Sequence, residues 1–269
     1  MTRDAERPLP FFDAARRVFD LALEGMIWSR RSLLMAVLLG LPVAFALLYR
    51  VILASKGSPG TSPDDLYGTI VALYSVRNVV PLAALFYATS LVADEVEGKT
   101  LTYLLTRPIP RASILVGKFV AYLATTVSLA LPATVVTFFV LATAPGSEGV
   151  AAHVADLVRD VGVVALALLA YGALFTLLGV VLRRPVIPGL LFLFVWELTA
   201  NLPGYMPRLT LTAYLRSLVR HRVADDGFLG LPVEVLPAPL CLAVLAASAM
   251  VFLAASLWIF STREYVLES

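Results

Sequence analysis

Residues 94–118, DEVEGKTLTYLLTRPIPRASILVGK, form a polar, charged stretch between two long apolar runs at 73–93 and 119–143. Each flanking run is long enough to cross about 30 Å of hydrocarbon as a helix. With 59% hydrophobic residues and a mean hydropathy of +0.86, the chain belongs in a bilayer. A charged insert of this length is then where the chain meets water. Within it, Leu101, Leu104 and Leu105 share one side of a helix, while Glu97, Lys99, Thr102 and Thr106 lie elsewhere. The turn Arg107-Pro108-Ile109-Pro110-Arg111 ends that helix, because neither proline can extend it. The expectation is a short amphipathic helix in a loop at 94–113, on one face of the membrane.

Working outward, apolar runs at 32–54, 70–93, 114–143, 161–182, 185–202 and 236–260 predict an all-α membrane protein with six transmembrane helices. The third run is longer than one crossing needs, so its start lies outside the membrane or it bends near Pro132. The fourth and fifth are separated only by Arg183, Arg184 and Pro185, which makes them antiparallel neighbours. At 269 residues the reading is a single membrane-spanning domain, 1–269. Residues 11–30 predict an amphipathic interfacial helix, with Phe11, Phe12, Ala15, Val18, Phe19, Ala22 and Met26 on one stripe. The alternative is a helix packed on another domain. The segment 203–235, with turn signals at Pro203-Gly204 and Asp225-Asp226-Gly227, predicts an external loop carrying short helices.

Thirteen of the 21 Lys and Arg residues fall on the side of 94–113 when both termini share that side; seven fall opposite and Arg77 lies within a span. By the positive-inside rule this predicts cytoplasmic termini and a cytoplasmic 94–113 loop. The four arginines of 203–235 weigh against that arrangement, and a five-span layout would place their loop inside at the cost of one strong apolar run. The first 30 residues carry acidic and basic residues and no short uninterrupted apolar core, so no cleaved signal peptide is expected.

Composition excludes several chemistries. One cysteine, Cys241, permits no internal disulfide, and two histidines make a histidine-based metal site unexpected. No GxxxxGK[ST] phosphate loop occurs, so ATP hydrolysis by this chain is not expected. HExxH is absent, and His153 and His221 are both expected in loops, away from any membrane nucleophile. Asp64-Asp65 and Asp225-Asp226 could meet a divalent cation, but aspartates are common in turns for backbone reasons. A net charge of +2 points to no nucleic acid.

The pattern Asp94, Glu95, Glu97, Gly98, Lys99, Thr100, Leu101, then Leu104, Leu105, Arg107, Pro108, Arg111, and Leu115, Gly117, Lys118 resembles the first cytoplasmic loop of type-2 permeases of ATP-binding cassette exporters. The motif covers about 25 residues. One departure is Pro110, where the family pattern has a small polar residue. The resemblance implies a membrane subunit of an ABC transporter in the cell (inner) membrane, exporter-like, that works as two permease copies or homologues. It also implies a separate ABC ATPase subunit that carries ATP and Mg, this chain binding no cofactor. Glu95, Glu97, Gly98, Thr100, Leu101, Leu104, Leu105, Arg107 and Pro108 would then form the docking helix for that subunit. The alternative is a secondary transporter or channel-like protein without an ATPase.

Two ionisable residues lie well inside apolar runs: Glu197, in LFLFVWELTANLPG, and Arg77, followed by Asn78. A charge within a span costs about 3 kcal/mol on insertion scales. At 1.5 Å per residue, Glu197 lies roughly 18 Å from Pro185 and Arg77 roughly 24 Å from Ala93, depths close enough for long side chains to meet. The functional reading has Arg77, Asn78 and Glu197 lining or gating a translocation path. The alternatives are a structural ion pair, or an Arg77 that snorkels to the surface. Small residues at Gly162, Ala165, Gly172, Ala173 and Gly179, and at Ala243, Ala246, Ala247 and Ala249, predict close helix packing within the chain or with a second copy. Trp196, Tyr205 and Trp258 suit the membrane interface.

Overall fold

The computed structural model describes residues 10–27, 30–57, 60–97, 110–182, 184–197, 199, 205–219, 221 and 236–262. Every regular element among them is helical. Five stretches are long and apolar enough to cross a membrane: Ser32–Ser55, Pro63–Leu91, Arg111–Ala142, Val150–Val181 and Ala238–Thr262. Of the run expected to cross at 185–202, the described residues include a shorter apolar helix, Val186–Trp196.

In chain order the elements are α1 (Phe11–Ile27), α2 (Arg30–Lys56), and a composite rod of α3 (Pro63–Thr69), a π-helical segment (Ile70–Val79) and α4 (Val80–Glu97). Then come α5 (Arg111–Ala142), α6 (Val150–Val181) and α7 (Val186–Leu191), which runs into a second π-helical segment (Phe192–Trp196). A 3₁₀ turn (Met206–Leu209), α8 (Leu211–Leu218) and α9 (Ala238–Thr262) complete the set.

The core forms around α6, which packs against α4, α5 and α9. Apolar side chains gain nothing by leaving lipid for each other, so close backbone approach has to hold these helices together. Two glycines of α6 provide it. A Cβ on Gly172 would sit 2.3 Å from Tyr122 Cε1, and one on Gly179 would sit 2.9 Å from the Thr89 carbonyl oxygen. The Tyr122 hydroxyl, fully buried on α5, donates to the Leu168 carbonyl at 2.8 Å. Gly162 has open space where its Cβ would be, and Ala243, Ala246 and Ala247 are exposed on α9, so among the described residues these four do not sit at a close helix contact.

Internal prolines leave carbonyls without their helical donor. Pro42 strands the Leu38 carbonyl in α2, and the Tyr74 hydroxyl donates to it at 3.1 Å across the helix interface. At the far end of α2, Arg50 donates from Nη1 to Thr143 Oγ1 and from Nη2 to the Thr143 carbonyl, both at 2.9 Å. A cation thus closes the negative end of the α5 dipole and ties the two helix ends together.

The helix expected at the interface, α1, packs along the first turns of α5 through Ala14 and Val18. A Cβ on Gly117 would lie 2.5 Å from the Ala15 carbonyl, so this motif glycine makes room for α1. On its outer side Phe12, of the expected apolar stripe, is 83% exposed, and Leu21 is 71% exposed. One expectation is corrected: α6 begins at Val150, not near 161, so His153 stands in a helix and not in a loop. Apolar residues recur at helical spacing through Val154, Leu157 and Val161, which carries the helix past its charged residues. Asp64 and Asp65 occupy the first turn of α3, where the Ser62 hydroxyl caps the Asp65 amide at 3.0 Å.

Candidate functional site

Arg77 and Asn78 lie in the first π-helical segment, whose wider turn is marked by the Val80 amide donating to Ser75, five residues back. Pro81 supplies a local cause. Its ring would clash with the Arg77 carbonyl in a regular helix and it has no N–H to offer, so the wider turn relieves both problems. Glu197 closes the second π-helical segment, its amide donating to the Phe192 carbonyl, again five residues back. Single π turns recur at functional positions because they aim one side chain out of register at a local energetic cost.

The two segments face each other. A cavity of about 120 Å³ is lined by Arg77, Asn78, Pro81, Leu193, Glu197 and Thr212, among others. Arg77 and Glu197 therefore share one cavity. Glu197 is 8% exposed, and its Oε2 accepts from the Thr212 amide at 3.2 Å. That amide is in the first turn of α8, where the helix has no internal acceptor for it and where a negative charge is favoured. Thr210 caps the same end, accepting from the Ala213 amide at 3.4 Å. The Thr212 hydroxyl shares a hydrogen bond of 2.9 Å with the Tyr171 hydroxyl of α6. The other Glu197 oxygen, Oε1, is buried without a hydrogen-bond partner among the described residues. It leaves one buried acceptor at a site that also holds a guanidinium.

An aromatic ladder sets the position of Glu197. Tyr171 stacks on Phe175 at 6.0 Å, Phe175 meets Phe192 edge-on at 6.4 Å, and Phe192 stacks on Trp196 at 6.4 Å. Gly189 lets α7 approach α4, since a Cβ there would lie 2.2 Å from Leu85 Cδ1. Tyr171 and Thr212 were not singled out in the sequence. Neither is charged, and their partners are distant in the chain, so periodicity gives no sign of them. Trp196, one of the residues expected at the interface, donates to the Leu209 carbonyl at 3.3 Å while 42% exposed.

Of the expected docking residues, Glu95 and Glu97 belong to the last turn of α4. Gly98, Thr100, Leu101, Leu104, Leu105, Arg107 and Pro108 lie outside the described residues. Lys118, the last residue of the motif, donates to the Leu91 carbonyl at 2.7 Å and braces the start of α5 against α4.

Beyond α8, His221 Nε2 meets Asp160 Oδ2 at 2.8 Å. Burial opposes a charged imidazole here, but the Asp160 hydrogen bond, the Asp160 charge and the Asp156 charge outweigh it, so the His221 pKa is raised above its ordinary 6.5. A raised folded-state value means that proton uptake stabilises the fold. That contribution is complete below about 6.5 and is lost as pH rises through the folded-state value. Melting temperature in detergent is expected to fall as pH climbs above 6.5, and His221→Gln should flatten that slope. An unaltered slope in the variant would remove His221 from this role.

A family model described as ABC-2 family transporter protein matches residues 53–265. A comparison with curated proteins finds no match.

Proposed function

The chain belongs to the ABC-2 family of transporter permeases, and from that premise we propose that it is the membrane subunit of an ATP-driven exporter. It pairs with a second permease copy and with two ATPase subunits on the cytoplasmic side. The 95–106 segment receives the push of ATPase closure, and the rigid rods of α4 and α5 carry it into the membrane. Arg77, Asn78 and Glu197 line the translocation path. The observation that carries this last assignment is their shared cavity at the junction of two π-helical segments.

In this reading α7 and α8 together make the fifth of six crossings, as two half-helices broken around Glu197. Contacts at the far end support it: the Arg159 Nε donates to the Leu218 carbonyl at 2.6 Å, and His221 reaches Asp160. The Leu236 amide then donates to Ser217 Oγ at 3.3 Å, so α9 starts from the level where α8 ends. Six crossings return the C-terminus to the side of α1, with both termini cytoplasmic in the inner membrane. Discontinuous helices with exposed ends are a recurrent way to build a polar site at mid-membrane depth.

Co-expression with the genes that neighbour its own tests the assembly. The detergent-solubilised chain should retain an ATPase through two purification steps. A chain that never retains one would defeat the exporter reading.

A further inference from the structure

Helix α8 is fastened at both ends. At the first, the Thr212 amide donates to Glu197 Oε2 at 3.2 Å and the Thr212 hydroxyl meets the Tyr171 hydroxyl of α6 at 2.9 Å. At the second, Arg159 of α6 donates to the Leu218 carbonyl at 2.6 Å, and just beyond it His221 Nε2 meets Asp160 Oδ2 at 2.8 Å. Leu215, between them, is fully buried. Eight residues make a rod of about 12 Å. Thr212 also lines the Arg77–Glu197 cavity, so the first turn of the rod is part of its wall. We propose that α8 is a proton-controlled strap on that cavity: a proton on His221 holds the helix down along α6, and loss of the proton lets the wall lift. What the strap regulates, in the reading on which this inference rests, is access to the transport path.

His221 is the fastening built to change. Its ring lies edge-on to Tyr67 of α3 at 5.4 Å, and a Cβ on Gly68 would sit 2.7 Å from His221 Cβ. The bare glycine lets the imidazole pass α3 and reach Asp160, a carboxylate only 1% exposed. The ring also borders a cavity of about 190 Å³ on the face opposite the α4–α5 connection, which gives protons a way in.

The charges around the ring set the direction. Asp64, Asp65 and Tyr67 of α3 share its recess, as do His153 and Asp156 of α6, with Asp160 of α6 in direct contact. The α5 wall, Phe138 and Ala142, brings no charge. Burial opposes a charged imidazole, but the Asp160 hydrogen bond and the Asp160 and Asp156 charges lift His221 above its ordinary 6.5. A cation here also favours the negative end of the α8 dipole, as Glu197 favours the positive end. Deprotonation takes that cation from the far fastening. Arg159 keeps its hold on the Leu218 carbonyl at every pH and serves as the hinge. The strap is therefore held in acid and lifts as pH rises through the folded-state value of His221.

Trp196 reports the motion, because its Nε1 donates at 3.3 Å to the Leu209 carbonyl just before α8. With Trp28 and Trp258 changed to Phe, the full chain in phosphatidylcholine nanodiscs is titrated from acid to alkaline pH. Trp196 emission should move to longer wavelength in one step with a midpoint above 6.5. His221→Gln should hold the alkaline spectrum throughout, and His221→Lys the acid one, since lysine keeps its charge. Asp160→Asn should bring the midpoint below 6.5, because burial then acts without its counterweight. If Asp160→Asn elutes as an aggregate, the His221 variants decide. A wild-type spectrum that never changes, a step that survives in His221→Gln, or matching traces from the Gln and Lys variants would overturn the strap. The readout needs no ATPase. Flat spectra beside a retained ATPase defeat the strap alone, and a chain that never retains an ATPase defeats the exporter reading while leaving these spectra as expected.

Discussion

Leu104→Asp is expected to abolish ATPase assembly while leaving the permease folded in the membrane. The reason lies in the pattern of 94–113: Leu101, Leu104 and Leu105 would be needlessly apolar in a free loop, and they suit insertion into a groove on a soluble partner. A carboxylate in the middle of that stripe would have to be desolvated on docking without a counter-charge. Retained ATPase should therefore drop about tenfold or more, since each 1.4 kcal/mol is a factor of ten. Glu95→Gln or Glu97→Gln should cost much less, because rim charges are screened by salt. The check is the ratio of ATPase to permease after affinity purification, alongside elution volume as the measure of folding. Equal ratios in wild type and Leu104→Asp would sink the docking assignment.

The second large effect is expected at the Arg77–Glu197 cavity. Both side chains line one space, and Glu197 is buried with one oxygen unsatisfied among the described residues. If they act as a pair, removing Arg77 leaves the buried Glu197 carboxylate without its counter-charge, at a cost on the order of 3–5 kcal/mol. Arg77→Gln and Glu197→Gln should each lower folded yield and transport-coupled ATPase activity sharply. Exchanging the charges, Arg77→Glu with Glu197→Arg, should recover part of the loss. The cycle is read as the non-additive part of the two single effects. Strictly additive losses would separate the two residues and leave Glu197 as the cap of α8 alone.

Much of this protein could be read from residue order alone. The five long helices follow from the length of their apolar runs, and one hydrocarbon thickness sets that length whatever the neighbours are. The cost of a charge in a span marked Arg77 and Glu197 before any contact was known. Similar depth along their helices was enough to suggest a common space, because rise per residue is constant.

Other features depend on what packs where. The run at 185–202 is apolar enough to resemble a span, and its described part is a short helix and a π turn that bring Glu197 to the open end of α8. Hydropathy carries no record of that distant amide. The outer cluster was hidden for the same reason. Asp160 and His221 are 61 residues apart, and each by itself resembles an ordinary loop residue. Folding α8 back beside α6 buries them together, and burial turns two common polar side chains into a paired site. Sequence determined which segments enter the membrane, since that is a property of each segment against lipid. The tertiary structure decided which polar groups meet, since the penalty for an unpaired buried charge is settled only by its neighbours.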